Sequence, residues 1–323
     1  MIDLTNAKEN PFKTYDGANG KKKCLIYNDE EYMVKFPTSK ENLDIHYTNS
    51  CISEHIGSRI FRILGIDAQE TFLARYRDKM VVACKDFCPS GKSLILQSFA
   101  MMKNGCIESE NSGYGMELQA ILNAMDEQQV FEPQEVKEYF WKMFIVDALL
   151  GNFDRHNGNW GYLTDRKSFA KLAPVYDCGS CLFPQASDEK MQYFLQHEEE
   201  MKARIFVFPN SALKIHGQKI NYAEFLSSGQ NQDCNKALLE LAPVIRIKMP
   251  QICSFIDNVE EISPIRKSFY KQIIAERNQH LIQEPARKLE RISYKSLDEL
   301  IKDAKNDCPR TESSQNRGKE INL

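Results

Sequence analysis

The sequence contains little of what marks a membrane, secreted or nucleic-acid-binding protein. Its 42 Lys and Arg nearly balance 45 Asp and Glu, for a net charge of −3, whereas a dedicated nucleic-acid binder is normally strongly basic. No apolar run approaches the ~18 residues of a membrane span, and Asp147 interrupts the longest one, residues 143–150. The N-terminus lacks the basic and apolar regions of a secretory signal. We therefore expect a soluble protein without a membrane span or nucleic-acid partner.

Cysteine is also sparse, with ten in 323 residues, too few for a disulfide scaffold. Most of them lie in apolar stretches, which favours buried free thiols. The alternative is a zinc site, because Cys178 and Cys181 together with Cys84 and Cys88 could supply four thiolates. The long separation between the two pairs makes this match weak, so the sequence favours packing over metal binding.

The hydrophobic pattern changes along the chain from a period of about two to about 3.6. Runs of β-forming residues predict hairpins over residues 23–36 and 71–84, with a helix over 49–64 between them. Further on, helical spacing begins at Pro133, which suits a first turn, and continues to Gly151. Other helices are predicted over residues 236–241, 265–284 and 296–305.

This pattern predicts an α+β fold of two lobes, a small β-rich one and a larger, all-helical one. The predicted divisions are an N-terminal lobe over residues 1–87, a helical lobe over 88–306 and a polar tail over 307–323. A basic stretch, residues 266–295, carries eight Lys or Arg and three Glu. Its charges alternate with apolar residues, which favours a solvated helix face over a partner surface.

Polar residues crowd the segment that follows the strongest predicted helix, residues 151–160. Within it, Asp154 and Asn159 have the spacing of the Asp-x-x-x-x-Asn catalytic loop of kinases. In that loop the aspartate accepts the proton of the attacking hydroxyl, and the asparagine oxygen binds magnesium on the phosphates. An Asx-rich turn would be the purely structural interpretation.

A second acidic motif lies eighteen residues after Asn159. Asp177 follows a short, mainly apolar segment, Ala173-Pro174-Val175-Tyr176, and is followed by Cys178-Gly179. In kinases the metal-binding aspartate is followed by Phe-Gly in the same way. Magnesium prefers oxygen ligands. The two motifs in this order predict Asp154 as catalytic residue and Asn159 with Asp177 as metal ligands.

The N-terminal part offers groups for the phosphates of a nucleotide. Lys35 lies in the second strand of the first predicted hairpin, as does the phosphate-binding lysine of kinases, and Glu54 is its expected helix partner. A loop of small residues precedes the hairpin and could offer backbone N–H groups to phosphates. That loop consists of Gly17, Ala18, Asn19 and Gly20.

Together, Asp154-Arg155-His156-x-x-Asn159 after Gly151-Asn152, and Val34-Lys35-Phe36-Pro37 upstream, resemble the HipA-like serine/threonine kinases. The similarity extends from about Gly17 to Ile292. It implies a two-lobed kinase fold with an all-helical larger lobe.

The resemblance also implies roles for individual residues. Asp154 would be the catalytic base, Asn159 and Asp177 the magnesium ligands, and Lys35 a catalytic, phosphate-contacting lysine. His156 occupies a position at which the family also has a histidine and is expected among the nucleotide-binding residues. The hinge that contacts adenine would include Lys85 and Phe87.

The function expected from these residues is an ATP- and Mg²⁺-dependent kinase for Ser and Thr of proteins, including itself. The resemblance implies a location in the bacterial cytoplasm and export into another cell. Two alternatives remain open. Asp-Arg-His-Asn-Gly-Asn also resembles the catalytic loop of phosphoinositide kinases, and a nucleotide-binding module without catalysis would act through contact.

Overall fold

The computed structural model describes residues 1–15, 21–37, 49–107, 110–165 and 167–292. The α+β fold class is confirmed, with a β-sheet in the N-terminal part and a mainly helical C-terminal part. No helix among these residues has the length and apolar character to cross a membrane.

Six strands of the described N-terminal part form one sheet in the order β1-β5-β6-β4-β3-β2. Only β1 and β5 run parallel. Both predicted hairpins are confirmed, and the first turns at Asn28-Asp29, where both residues adopt the positive φ that a tight two-residue turn requires. The strands are β1 (Ile2–Asp3), β2 (Lys8–Glu9), β3 (Lys22–Tyr27), β4 (Glu30–Lys35), β5 (Thr71–Tyr76) and β6 (Lys79–Lys85).

Helix α1 (Ser50–Ile63) packs against one face of this sheet and confirms the helix predicted over residues 49–64. Its Ile56 belongs to a large hydrophobic cluster that continues into the helical part, through Trp141 and Leu238. The opposite face of the sheet has its own small core, which includes Leu25 and Val34. Because α1 belongs to the large cluster, its position is coupled to the packing of the helical part.

The C-terminal part is built mainly from helices around the large cluster. Its elements are β7 (Ile95–Ser98), α2 (Phe99–Cys106), α3 (Leu118–Glu127), α4 (Pro133–Leu150), β8 (Gly161–Thr164), β9 (Ala170–Leu172), α5 (Asp188–Gln196), α6 (Glu198–Phe206), β10 (Lys214–Ile215), β11 (Gln218–Lys219), α7 (Tyr222–Ser228), α8 (Gln232–Asp257) and α9 (Pro264–Arg277). A short 3₁₀ helix spans Glu110–Gly113, a π-helical segment spans Asn278–Gln283, and residues 284–292 are again helical.

The expectation of an all-helical larger lobe needs a correction, because this part contains five short strands. Strands β7, β8 and β9 form an antiparallel sheet, and β10 pairs with β11. The pairing of β7 with β8 joins segments more than sixty residues apart, and local hydrophobic periodicity carries no information about such pairing.

Helix α4 crosses the middle of the helical part and begins and ends as the sequence predicts. Pro133 lies in its first turn, and Gly151 ends it in the left-handed conformation with φ of +65°. The helix predicted over residues 236–241 is part of the much longer α8, which contains Pro243 and Pro250. The helix predicted over residues 296–305 and the tail from residue 307 lie outside the described residues.

The basic stretch of residues 266–295 was predicted to be a solvated helix face. This prediction is wrong for Arg266 and Arg277, because both side chains are buried. Arg266 forms an ion pair with Asp188 at 2.7 Å and thereby connects α9 to the start of α5. Arg277 donates to the backbone carbonyl of Arg204. Long cationic side chains can turn inward when a carbonyl or carboxylate satisfies them, which charge periodicity does not reveal.

Candidate active site

Lys35, Glu54 and Asp177 meet between the sheet, α1 and the segment that follows β9. The Lys35 ammonium lies 2.9 Å from Oδ1 of Asp177 and 3.1 Å from Oε2 of Glu54. The Glu54 side chain is only 2% exposed, whereas that of Asp177 is 41% exposed. The lysine therefore connects a buried carboxylate to one that is open to a ligand.

The local fold explains why these three side chains converge. Lys35 ends β4, and Cys51 at the start of α1 donates from its thiol to the Lys35 carbonyl at 3.5 Å. Helix α1 approaches the segment after Asp177 so closely that a Cβ atom at Gly57 would lie 2.7 Å from the Cβ of Cys178. Gly57 is thus required for the contact of α1 with that segment.

The loop after α4 holds Asp154 and Asn159 in a defined relation. The backbone N–H of Asp154 donates to Oδ1 of Asn152 at 3.1 Å, and Nδ2 of Asn159 donates to the Asp154 carbonyl at 2.8 Å. The second bond uses the amide nitrogen of Asn159, which leaves its oxygen for another partner. The predicted pair is therefore brought together in one compact loop.

A buried ion pair beneath this loop was missed by the sequence analysis. Arg155 Nε lies 2.9 Å from Oδ2 of Asp147, and both side chains are at most 5% exposed. Arg155 also donates to the carbonyls of Asn159 and Tyr176, while Asn152 donates to Asp147 at 2.9 Å. Arg155 thus ties the loop of Asp154 and Asn159 to α4 and to the residue before Asp177.

One signal could have revealed this pair. Asp147 is the single charge within an otherwise apolar helical run, and a fully buried carboxylate needs a cationic partner. Several arginines follow Asp147 in the sequence, and only the tertiary structure identifies Arg155 as the partner.

His156 acts within the loop itself. Its Nδ1 accepts a hydrogen bond from the backbone N–H of Gly158 at 3.0 Å. Its backbone carbonyl accepts from Asn159 N–H at 2.8 Å, so its contacts stabilise the turn between Asp154 and Asn159. Its prediction as a nucleotide-binding residue remains untested.

The predicted adenine hinge continues from β6. The carbonyl of Lys85 accepts from Nε2 of Gln69 at 3.0 Å, and the Lys85 ammonium pairs with Glu30 at 2.5 Å on the exposed surface. The ring of Phe87 packs edge-on against Tyr176 at 5.9 Å between centroids. Nucleotide contact by Lys85 or Phe87 remains a prediction. The predicted phosphate loop of Gly17, Ala18, Asn19 and Gly20 lies outside the described residues.

The surroundings shift the pKa values of the two candidate carboxyl groups in opposite directions. Desolvation raises the pKa of Asp154, and the Asp177 carboxylate adds to the increase. Desolvation also acts to raise the pKa of Asp177, but the Lys35 charge and hydrogen bond outweigh it and hold the pKa below its ordinary value. Two neighbouring carboxylates of this kind suit a site that receives a cation.

The oxygen atoms of Asn159 and Asp177 fit a magnesium ion. The amide oxygen of Asn159 is left available by the bond its nitrogen makes, and the Asp177 carboxylate is partly exposed. Mg²⁺ prefers oxygen ligands and keeps several of its waters, so a small, open donor set suits it. The described residues therefore fit the predicted cofactor.

The cysteines do not support the zinc alternative. The thiols of Cys84, Cys88, Cys178 and Cys181 all belong to described residues, and they do not form a group of three or more ligand atoms within 4.8 Å of one another. Cys24 does lie that close to Glu31 and Asp86. There, however, the Lys13 ammonium already pairs with both carboxylates, at 3.0 and 2.6 Å.

Known proteins are similar to this chain over most of its length. Residues 15–246 match the HipA-like C-terminal domain. The chain is 46% identical over 285 residues, 87% of its length and 86% of the relative's, to the serine/threonine-protein kinase CtkA of Helicobacter pylori.

Two solved structures were compared with the chain. The crystal structure of the H. pylori proinflammatory kinase CtkA matches with a TM-score of 0.85 at 44% identity, covering 90% of this chain and 98% of that chain. A HipA chain of Shewanella oneidensis MR-1, solved with HipB and operator DNA, reaches a TM-score of 0.48 at 16% identity over 86% and 70% of the two chains. The match over most of the chain shows that it belongs to the HipA-like C-terminal domain family.

Proposed function

We propose that this protein is an ATP- and Mg²⁺-dependent kinase that phosphorylates Ser and Thr residues of proteins. The observation that carries the proposal is the convergence of Lys35, Glu54 and Asp177, with Asp154 and Asn159 in the adjoining loop. The 46% identity to a curated serine/threonine-protein kinase over 87% of the chain supports the class of reaction. A single residue of this set would not support it, because isolated lysines and aspartates are common.

Lys35 is the group that receives the phosphates. It is held by two carboxylates, and burial acts to lower its pKa while Asp177 and Glu54 raise it well above the ordinary value, so the side chain stays cationic. Glu54 orients the ammonium from the buried side, and Asp177 can exchange the lysine for a metal ion. When held by Asn159 and Asp177, Mg²⁺ neutralises charge on the phosphates.

Asp154 acts on the incoming hydroxyl. Its carboxylate orients the Ser or Thr oxygen towards the terminal phosphate and accepts the proton as the new O–P bond forms. The raised pKa of Asp154 makes it a better proton acceptor than an ordinary carboxylate. Asn152 and Arg155 fix the loop backbone on either side, so the carboxylate needs little reorganisation.

The test is phosphate transfer from labelled ATP to a general protein substrate by the purified full chain. Asp154→Asn and Asp177→Asn should each remove transfer, whereas Asp78→Asn, in an exposed turn, should leave it unchanged. Transfer should also stop when EDTA removes Mg²⁺. Equal label in all four proteins would disprove the assignment of the site.

We further propose that the protein phosphorylates itself and acts outside the bacterium that makes it. The self-reaction is tested by incubating it with labelled ATP alone, using Asp154→Asn as the control that should remain unlabelled. Its similarity to a protein described as a proinflammatory kinase supports the second proposal. Detection of the protein in culture medium or in co-cultured cells tests it, and its complete retention in the bacterium would contradict it.

A further inference from the structure

The hairpin of β10 and β11 presents two lysines that form no ion pair with any residue that the structure describes. Lys214 and Lys219 are directly opposite each other in the antiparallel register, so their side chains share one face of the hairpin. Neither ammonium lies within 4.0 Å of a carboxylate in the part of the chain that the structure describes. Like charges in directly opposite positions destabilise a strand pair, so an anion between them would be stabilising.

The residues at the base of this hairpin contact the catalytic loop. Ser211, Leu213 and Tyr222 flank the hairpin and line a small internal cavity together with the buried pair of Asp147 and Arg155.

The flanking residues also bond across to the loop. The hydroxyl of Tyr222 donates to the carbonyl of Asn152 at 2.6 Å, two residues before Asp154. Backbone bonds from Ser211 to Ile220 and from Ile220 to Leu213 close the base of the hairpin at 2.9 Å each. The lysine pair therefore keeps a fixed position relative to Asp154.

The other end of the hairpin is held as well. His216 and Gly217 form its turn, both with positive φ, and the N–H of Gly217 donates to Oε1 of Glu117 at 2.7 Å. The N–H of Lys214 donates to the carbonyl of Met116 at 2.8 Å. Glu117, the acidic residue that contacts the hairpin, is thus bound to its backbone, and the two ammonium groups are left for another anion.

The positive charge of Lys219 acts on the Asp154 carboxylate. Lys219 is exposed, yet it is one of the cations that oppose the upward shift of the Asp154 pKa. Because the base of the hairpin is bonded to Asn152, an acidic group bound between the lysines would lie near the loop that carries Asp154.

We propose that Lys214 and Lys219 form a specificity site that binds an anionic side chain of the protein substrate close to the phosphorylated Ser or Thr. This inference rests on the proposed kinase function and names the class of substrate for it. The anion is either the carboxylate of Asp or Glu or the phosphate of an already phosphorylated residue. Both would bridge two ammonium groups, and a phosphate would do so with more charge.

The rival explanation is that Lys219 only adjusts the charge state of Asp154. In that case its replacement would alter the reaction of every substrate by the same factor. A substrate-binding role instead predicts an effect that depends on the charge of the substrate, which makes the two explanations separable.

The experiment compares four synthetic peptides that each contain one Ser and differ only in the flanking residues, which are Glu, phosphothreonine, Ala or Lys. kcat/KM is measured for the full-length protein, for Lys214→Glu/Lys219→Glu, and for Lys79→Glu as the control for an exposed strand lysine. Binding of the same peptides to Asp154→Asn, which should transfer no phosphate, is followed by fluorescence anisotropy. This second measurement reports peptide preference separately from catalysis.

We expect the unmodified protein to prefer the anionic peptides over the Ala peptide by roughly fivefold, since each exposed ion pair contributes little. The double variant should lose this preference and favour the Lys peptide, and 1 M NaCl should abolish both preferences. The Lys79→Glu variant should behave as the unmodified protein does. A stronger response to Glu or to phosphothreonine identifies the source of the anion.

Transfer to all four peptides without preference, or an equal loss for all of them in the double variant, would overturn the inference and leave the kinase function intact. Absence of transfer to any peptide or protein would instead overturn the proposed function. Anisotropy would then still decide whether the lysine pair selects anionic peptides.

Discussion

Lys35 is bound by Asp177 at 2.9 Å although the two residues are 142 positions apart in the chain. The same ammonium lies 3.1 Å from Glu54, so one cation links β4, α1 and the segment that carries the candidate metal ligand. In the proposed function, Lys35 exchanges Asp177 for the phosphates when nucleotide and metal bind. The pair is therefore a useful place to test the assignment of the site.

Replacing Lys35 by Met should lower kcat by about 10²–10³-fold, the usual cost of losing one group that stabilises developing charge. The shape of the side chain is largely kept, but the buried Glu54 carboxylate loses its cation, which destabilises the fold. Circular dichroism and thermal unfolding therefore set the temperature at which kcat of the folded variant is measured. Lys79→Met removes an exposed strand lysine and serves as the matched control. Unchanged kcat in Lys35→Met would show that the lysine does not contact the phosphates.

The buried pair of Asp147 and Arg155 should be essential for stability. Arg155→Met leaves the Asp147 carboxylate without its cation, and breaking a buried pair in this way costs about 3–5 kcal/mol. Urea unfolding measures the change. Lys202→Met breaks only exposed pairs with Glu198 and Glu199 and should leave the free energy of unfolding nearly unchanged.

A double variant separates stability from positioning at the same pair. Asp147→Leu with Arg155→Met should regain much of the lost stability, because no buried charge remains uncompensated. It should not regain activity, because the bonds from Arg155 to the carbonyls of Asn159 and Tyr176 are still missing. Recovery of both properties would mean that the pair has no role in positioning the loop.

Gly151 is expected to tolerate no side chain, for two independent reasons. Its φ is +65°, and a Cβ there would lie 2.0 Å from Nη1 of the buried Arg277. Gly65 has φ of +82° with no neighbour within 4 Å of its Cβ position, so Gly65→Ala reports backbone strain alone, about 1 kcal/mol. Gly151→Ala should lower the free energy of unfolding by about 1–3 kcal/mol more than Gly65→Ala does, because its Cβ would clash with Arg277.

Thermal unfolding of both alanine variants measures this difference. Equal destabilisation by Gly65→Ala and Gly151→Ala would show that Arg277 can move out of the way. Reduced transfer activity of Gly151→Ala below its melting temperature would add that the end of α4 positions the catalytic loop.

His55 should make the protein less stable as the pH falls. Burial lowers its pKa from 6.5 to about 4, and the charge of Arg59 contributes. Because the unfolded chain then binds the proton more readily than the folded one, stability falls from about pH 6.5 downwards, and the loss is complete near pH 4. The total decrease in the free energy of unfolding is on the order of 3 kcal/mol.

The check is the melting temperature of the protein and of His55→Gln between pH 7 and 4.5. Gln can keep a hydrogen bond to Thr71, which His55 contacts at 3.0 Å, but it does not titrate. The unmodified protein should therefore lose more stability than the variant over this range. If the melting temperatures of the unmodified protein and of His55→Gln fell in parallel as the pH was lowered, His55 would not take up a proton on unfolding.

Much of the local structure could be predicted because short-range effects determine it. Alternating apolar residues and a turn-forming Asn28-Asp29 specify the first hairpin. Pro133 and Gly151 mark the ends of α4. The motif residues Asp154 and Asn159 were recognisable because their loop is contiguous in sequence.

Features that depend on long-range pairing could not be predicted in the same way. The β7–β8 pairing needs two distant segments to meet, and the inward orientation of Arg266 depends on Asp188 in another helix. Asp147 was visible as an isolated charge, but its partner was not.

The sequence by itself determined the two N-terminal hairpins, helices α1 and α4 with their ends, and which residue types can perform phosphate transfer. Those properties depend on backbone sterics, capping and side-chain chemistry, which act over a few residues. Only the tertiary structure decided that Lys35, Glu54 and Asp177 share one site and that the base of the β10–β11 hairpin is bonded to the loop of Asp154. Such meetings follow from how buried surfaces pack across the whole chain, and no local pattern encodes them.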